Sequence, residues 1–298
     1  MKLILSSGFY LNPAIILLLC VLLAACGDDD RRGLEVDFPR DQDIVWEYDV
    51  YEIERQNERH IGTLRDENLE ITDHAQRADV LRKRREFHFD SLDTPGSPGY
   101  IFTSAYYDDG DDHFEIVQRA DDFYGIFDHT LTERVLDTLT TDDPEGPEYQ
   151  NFEDFEPGWI TPYRFDEGSN RNYEVHGPET VYLDFYVRDR HITGEVEVRT
   201  TGLYRRTERI DVPWREGVLA HKVNMLTKMD FEVLKDSTEV PDFQETIKMK
   251  NWFSPDGGLI KREREPVSIS IPGIPSRWGS VFDPGERWEL KSLEGIDF

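Results

Sequence analysis

The chain has 298 residues, 32% of them charged and 38% hydrophobic, enough apolar residues for a packed core and too many charges for a multi-span membrane protein. Aspartate and glutamate number 62 against 34 lysines and arginines, a formal charge of −28, which excludes nucleic-acid binding through a basic surface. Two cysteines exclude a disulfide-dense scaffold.

Residues 1–25 read as a signal peptide. Lys2 makes the start positive, and Ala14 to Ala25 is an unbroken apolar run of twelve residues, short of the ~20 that span a bilayer. Leu23-Ala24-Ala25-Cys26 resembles the lipobox of bacterial lipoproteins. That resemblance implies cleavage before Cys26 and lipidation of its sulfur and new amino group, with acyl chains such as palmitate. Several chains anchor stably where one is marginal. The membrane is then a partner through the N-terminal lipid. Gly27 follows the cysteine, and the acids begin at Asp28. By the same resemblance the expected site is the periplasmic face of the outer membrane, with the inner membrane or the cell surface as alternatives. Cys20 leaves with the signal and Cys26 is acylated, so no thiol remains for a disulfide, a thiolate metal site or a nucleophile. Residues 26–33 form a short lipidated tether.

A first β-rich module is expected over 34–160. Trp46, Tyr48 and Val50 alternate with Glu47, Asp49 and Tyr51, one face for a core and one for water. A helix is expected around His74–Arg85. Asp93–Gly99 carries turn residues. Tyr100, Phe102, Tyr106 and Tyr107 precede a second turn, Asp108–Asp112, and Phe123, Tyr124 and Phe127 follow it. Leu131, Val135, Leu136 and Leu139 have helical spacing, and Thr130 with Glu133 can form a capping box. Glu145 to Pro162 is acidic and proline-rich and reads as a long connection.

A second β-rich module is expected over 161–298. Val181, Leu183, Phe185 and Val187 alternate with polar or tyrosine residues, as do Val196 with Val198, and Val267, Ile269 and Ile271. Turns are expected at Arg215–Gly217 and Pro255–Gly258, where Gly257 and Gly258 can take positive φ. Three segments echo one another: Phe38-Pro39 leads to Trp46-Glu47-Tyr48, Phe165–Gly168 to Tyr173-Glu174-Val175, and Phe282–Gly285 to Trp288-Glu289-Leu290. Each suits a turn feeding a strand whose aromatic enters the core. A true repeat and chance recurrence both account for the echo.

Two stretches, Val212–Val223 (VPWREGVLAHKV) and Trp252–Lys261 (WFSPDGGLIK), resemble segments of bacterial envelope lipoproteins, VPAGTFxAYKV and WYAPGVGLVK. Trp214 and Arg215 depart from the first pattern. The resemblance implies a curved antiparallel sheet, loosely like that of the lipoprotein carriers LolA and LolB. It implies no reaction and transfers no site residue.

Chemistry is sparse. None of the eight histidines pairs at i+2 or i+4, and HExxH, GxSxG, GxGxxG and P-loop motifs are absent. No catalytic residue is nominated and no organic cofactor is implied. Asp108, Asp109, Asp111 and Asp112 around Gly110 could hold Ca²⁺, or form a solvated hairpin tip. Tyr100, Phe102, Tyr106, Phe123 and Phe127 could line an apolar cavity in a curved sheet, or fill its core. The chain holds 25 arginines and 9 lysines. Strong acidity with few lysines also suits a protein from a salty habitat.

The fold expected is mainly β: curved antiparallel sheets or a half-barrel in one or two modules, with one or two short helices. The function expected is a lipid-anchored, non-catalytic envelope protein that binds a lipid, another hydrophobic ligand or an envelope protein, not nucleic acid. The alternatives are a structural or protein-interaction lipoprotein, and an envelope hydrolase whose site the sequence does not display.

Overall fold

The computed structural model describes residues 39–55, 57–74, 76–90, 100–109, 112–116, 159–165, 170–187, 190–235, 242–270 and 280–296. Among the described residues, fourteen strands run in chain order. The first half holds β1 (Val45–Glu54), β2 (Asn57–His74), β3 (Arg77–Phe89), β4 (Tyr100–Asp109), β5 (Asp112–Ile116) and β6 (Trp159–Arg164). The second holds β7 (Asn172–Val187), β8 (Arg190–Val212), β9 (Arg215–Lys235), β10 (Phe243–Ser254), β11 (Gly258–Arg264), β12 (Val267–Ser270), β13 (Ser280–Asp283) and β14 (Gly285–Glu294).

Twelve strands form one antiparallel sheet in the order β6-β5-β4-β3-β2-β1-β14-β11-β10-β9-β8-β7, while β12 and β13 form a separate hairpin. The first and last strands meet in the middle, where Tyr48 faces Leu290 and Val50 faces Trp288. Segments 34–160 and 161–298 both feed this sheet, and the boundary between them falls inside β6.

The ladder is open, with β6 and β7 as its edges, yet the sheet curls until these edges meet. Tyr163 of β6 packs on Phe253 of β10, ring centroids 4.1 Å apart, and Tyr173 of β7 donates its hydroxyl to the Pro162 carbonyl at 2.9 Å. In a flat sheet β6 and β7 would lie eleven spacings apart, about 53 Å at ~4.8 Å per strand. Long strands, twist and bulges permit the curl. Register shifts interrupt the ladders of β1 with β2, β1 with β14, β8 with β9 and β10 with β11.

Alternation explains the core. Trp46, Tyr48 and Val50 are buried on β1, Trp288 and Leu290 on β14, and Tyr173 and Val175 on β7. All three echoed segments therefore send an aromatic inward. One cluster joins Tyr163, Tyr173, Val198, Val223, Met225, Met249 and Phe253; a second joins Trp46, Tyr48, Leu64, Ala220, Trp252, Ile260 and Leu290.

Three details differ from the sequence reading. The segment expected as a helix around His74–Arg85 is strand: β3 pairs with β2 from His74↔Arg77 to Gly62↔Phe89. Leu81, Lys83, Arg85 and Phe87 sit at every second position there, a period that ladder pairing selects over weak helical spacing. The hairpin near Arg215–Gly217 turns earlier, at Pro213-Trp214, because Val212 pairs with Arg215. In the β10–β11 turn only Gly258 takes positive φ, at 68°. The helix expected at Leu131–Leu139 lies outside the described residues, which contain no helix.

Candidate functional site

On the inner side of the curl, the apolar phase of three strands is interrupted by charge. Leu64, Asp66 and Asn68 follow one another along β2, Leu81, Lys83 and Arg85 along β3, and Ile260, Arg262 and Arg264 along β11. Asp66, Arg85, Arg262 and Arg264 are each 5% exposed or less. Burying an ion costs several kcal/mol (~20 kcal/mol in the idealised limit) unless geometry compensates, so the positions of these heads are informative.

Register brings the first pair together, since Asp66 faces Arg85 across β2 and β3. Arg85 donates from Nε to Oδ1 at 2.5 Å and from Nη2 to Oδ2 at 2.7 Å, a fork-to-fork pair. Lys83 Nζ lies 4.0 Å from the same carboxylate and 4.0 Å from the Trp46 ring centroid. Burial pushes the Asp66 carboxyl up, but the Arg85 guanidinium outweighs it, with Lys83 and Arg262 adding, and holds the group below its ordinary range. Burial first, and then the Asp66 charge, raises the neighbouring Tyr48 phenol well above its ordinary value. That hydroxyl donates to the Leu259 carbonyl at 2.7 Å.

Arg262 enters from the other half of the sheet. It faces Asn251 and Trp288 in register. Its Nε donates to Asn251 Oδ1 at 3.0 Å and its Nη2 to Tyr163 Oη at 3.3 Å, while its guanidinium stacks 4.3 Å from the Trp288 centroid. Arg85 approaches the same ring at 5.3 Å. Such cation–π contacts are worth ~2 kcal/mol or more when desolvated.

Asp66, Lys83, Arg85, Arg262 and Tyr48 line a cavity of about 60 Å³ together with Arg40, Trp46, Tyr106, Tyr163 and Phe253. At ~10–15 Å³ per water centre it holds roughly four to six waters. That is far below the ~300–1,000 Å³ of pockets that enclose a drug-sized ligand. A second depression, about 530 Å³, is lined by Glu195, Glu197, Asp230, Glu232, Asp242 and the stacked pair Phe231 and Phe243. Among the described residues no three acids, histidines or cysteines are grouped to hold a metal.

The residues singled out in the sequence are distributed unevenly. Tyr106 lines the cavity, its ring centroid 5.1 Å from Lys83 Nζ, and Tyr107 lines it too. Phe102 is the register partner of Arg85, and Tyr100 that of Phe87. Asp108 pairs with His113 and Asp109 with Asp112 in the β4–β5 hairpin. Cys26, Asp111, Phe123 and Phe127 lie outside the described residues. Sequence reading missed Asp66, Lys83, Arg85 and Arg262. The available signal was a charge occupying an apolar-phase position of a strand.

No family model matches the chain, and no curated protein matches it significantly. Two solved structures are similar. One is a lipoprotein candidate from Parabacteroides distasonis, 12% identical, TM-score 0.48, with 87% of this chain and 99% of that one covered. The other is a candidate exported protein with a YmcC-like fold from Bacteroides fragilis, 9% identical, TM-score 0.42, with 88% and 100% covered.

Proposed function

We propose that this is a lipid-anchored protein of the cell envelope, held at the periplasmic face of the outer membrane through Cys26, that works by binding a ligand in the cavity inside its curled sheet. The observation that carries the reading is the lining: four cationic heads and one carboxylate among aromatic rings, inside a chain of net charge −28. Two of those cations, Arg85 and Arg262, are buried there, each 5% exposed. The titratable groups argue for binding over acid–base catalysis. A general acid or base works best with a pKa near the ambient pH. Here Asp66 is driven further into its charged form and Tyr48 further into its neutral one.

The test is ligand recovery. The full-length protein is extracted from membranes in mild non-ionic detergent, and its organic extract is compared by mass spectrometry with an empty-vector control. A stoichiometric small molecule, lost in Arg262→Gln, supports the reading. A protein that returns empty, with no added ligand raising its melting temperature, overturns it in favour of a structural lipoprotein. The anchor is tested separately: Cys26→Ala should leave the membrane fraction and lose incorporation of labelled palmitate.

A further inference from the structure

We infer that Leu69 and Ile71, on the projecting end of the β2–β3 hairpin, form a docking surface for the lipid bilayer, on which the anchored fold rests. The inference rests on the anchoring reading above and adds which part of the fold the membrane meets.

Three observations converge. The first is where the hairpin goes. The last pair of β2 with β1 is Glu67 with Val45, and from Asn68 on β2 is laddered with β3 alone. β2 buries Gly62, Leu64, Asp66 and Asn68 in alternation, and no residue from Leu69 to His74. The strand leaves the core at the register shift between Asn68 and Ile71, an irregularity of the kind that bends a strand.

The second is what it exposes. Among the described residues the exposed large hydrophobics are Leu69, at 37%, Ile71, at 42%, and Phe282. Single exposed apolar residues are ordinary. Here two of the three lie two positions apart on one projecting end, in a chain of net charge −28.

The third is where the anchor chain arrives. Asn68, next to Leu69, holds the segment that leads back to the anchor. Its Nδ2 donates to the Pro39 carbonyl at 3.1 Å and to the Asp41 carbonyl at 2.9 Å, and its backbone amide donates to the Ile44 carbonyl at 2.9 Å. Pro39 is thirteen residues from Cys26, at most ~45 Å of extended chain. The lipid is thus tied to the fold beside Leu69, and the bilayer is the apolar phase within that reach. Two side chains hold a bilayer weakly by themselves, but an anchor keeps it at high effective concentration. Glu70 and Asp73 share this hairpin end and oppose an anionic surface, so the contact is apolar.

The test uses the full-length lipidated protein in phosphatidylcholine vesicles. Once Cys26 is acylated the mature chain has no free thiol, so Leu69→Cys, Ile71→Cys and Asn57→Cys each take one NBD label. Asn57 begins the same strand, about 40 Å from Leu69 along an extended chain. Lipid carrying a nitroxide on the fifth acyl carbon should quench the labels at 69 and 71 about twofold or more, and leave the label at 57 within about a tenth of its emission. Circular dichroism matching the native chain shows that each variant folds; should one of the two fail, the other carries the test. Absence of quenching at 69 and 71, equal quenching at 57, or quenching of a label on Phe282→Cys in their place overturns the inference. So does shielding of 69 and 71 from iodide without quenching by the lipid, which would give the surface to a protein partner. The anchor fails separately. A native chain that takes up label at Cys26 and does not float with the vesicles sinks the anchoring reading and this inference with it. A chain that floats without quenching at 69 and 71 sinks the inference alone.

Discussion

Tyr173 on β7 lies over Gly202, its register partner on β8. A Cβ placed on Gly202 would come within 2.2 Å of the tyrosine Cζ. The ring uses the space that glycine leaves, and its hydroxyl reaches the Pro162 carbonyl at 2.9 Å. An aromatic covering a cross-strand glycine is a recognised way to hold an edge in register. Here it also bridges the two open edges of the sheet. Gly202→Ala should displace the ring and destabilise the fold by ~1–3 kcal/mol, the range for overpacking. Tyr173→Phe should cost ~1 kcal/mol, one hydrogen bond. Urea titration measures both, and amide exchange should rise in β7 and β6. A neutral Gly202→Ala would show that the ring does not depend on the glycine.

His221 gives the fold a pH dependence. It is 2% exposed, with Nδ1 2.9 Å from the Tyr204 hydroxyl and the Phe165 ring centroid 5.3 Å away. Among the described residues Nε2 has no hydrogen-bond partner. Burial lowers its pKa to about 4 from 6.5, so the unfolded chain binds the proton first. The neutral ring's contribution is complete above pH 6.5 and is lost as pH falls toward 4. Between pH 7 and pH 5 the loss should be about 2 kcal/mol. Urea titrations at both pH values, on the native chain and on His221→Phe, isolate it. The variant should lack that much of the decline. Parallel declines would place the titration elsewhere.

How much was legible follows from where alternation is clean. On β1, Trp46, Tyr48 and Val50 alternate with charged or half-exposed residues, and all three are buried. Gly, Asp and Pro marked the reversals between β4 and β5 and between β10 and β11, where Asp109 pairs with Asp112 and Ser254 with Gly258. The site was hidden because its charges occupy core-phase positions. Arg82 to Glu86 is an unbroken run of charges overlapping the segment expected as a helix, yet Lys83 and Arg85 share the phase of Leu81 and Phe87. Only pairing with β2 shows that Arg85 meets Asp66, nineteen residues away. Arg262 depends on still longer range, because its Tyr163 partner is ninety-nine residues away and the contact exists only once the sheet has curled.

Salt should stabilise the protein. Ion pairs link the strands: Lys261 with Glu289 and Lys291 with Glu47 join neighbours, and Arg287 of β14 reaches across β1 to Glu58 of β2. Exposed pairs contribute ~0–1 kcal/mol each, and salt weakens them. The net −28 charge acts the other way, as self-repulsion that salt screens over a Debye length of ~10 Å at 0.1 M and ~3 Å at 1 M. Repulsion involves every excess carboxylate, so it wins. The melting temperature should rise between 20 mM and 1 M sodium chloride. Equal temperatures would show that acidity is balanced locally and does not limit the fold.

The Asp66–Arg85 pair should behave as one unit. Removing one member of a buried pair strands the other charge at ~3–5 kcal/mol, so Asp66→Asn and Arg85→Gln should each be strongly destabilising. The double variant should fall well short of their sum, with a coupling energy of ~2–3 kcal/mol, because the second substitution removes the charge the first one stranded. The pH sign is opposite in origin to an ordinary buried acid. Burial alone would raise the Asp66 carboxyl, but the Arg85 charge and hydrogen bonds hold it below 3.8. Its contribution is therefore complete above that value and is lost as pH falls through the lower folded-state value. The His221 window lies above about 4, so the two groups separate on one titration. Urea stability of Asp66→Asn should run parallel to the native chain from pH 7 to pH 5 and converge with it only in stronger acid. Convergence already at pH 5 would mean that Asp66 is protonated there and that Arg85 does not hold it.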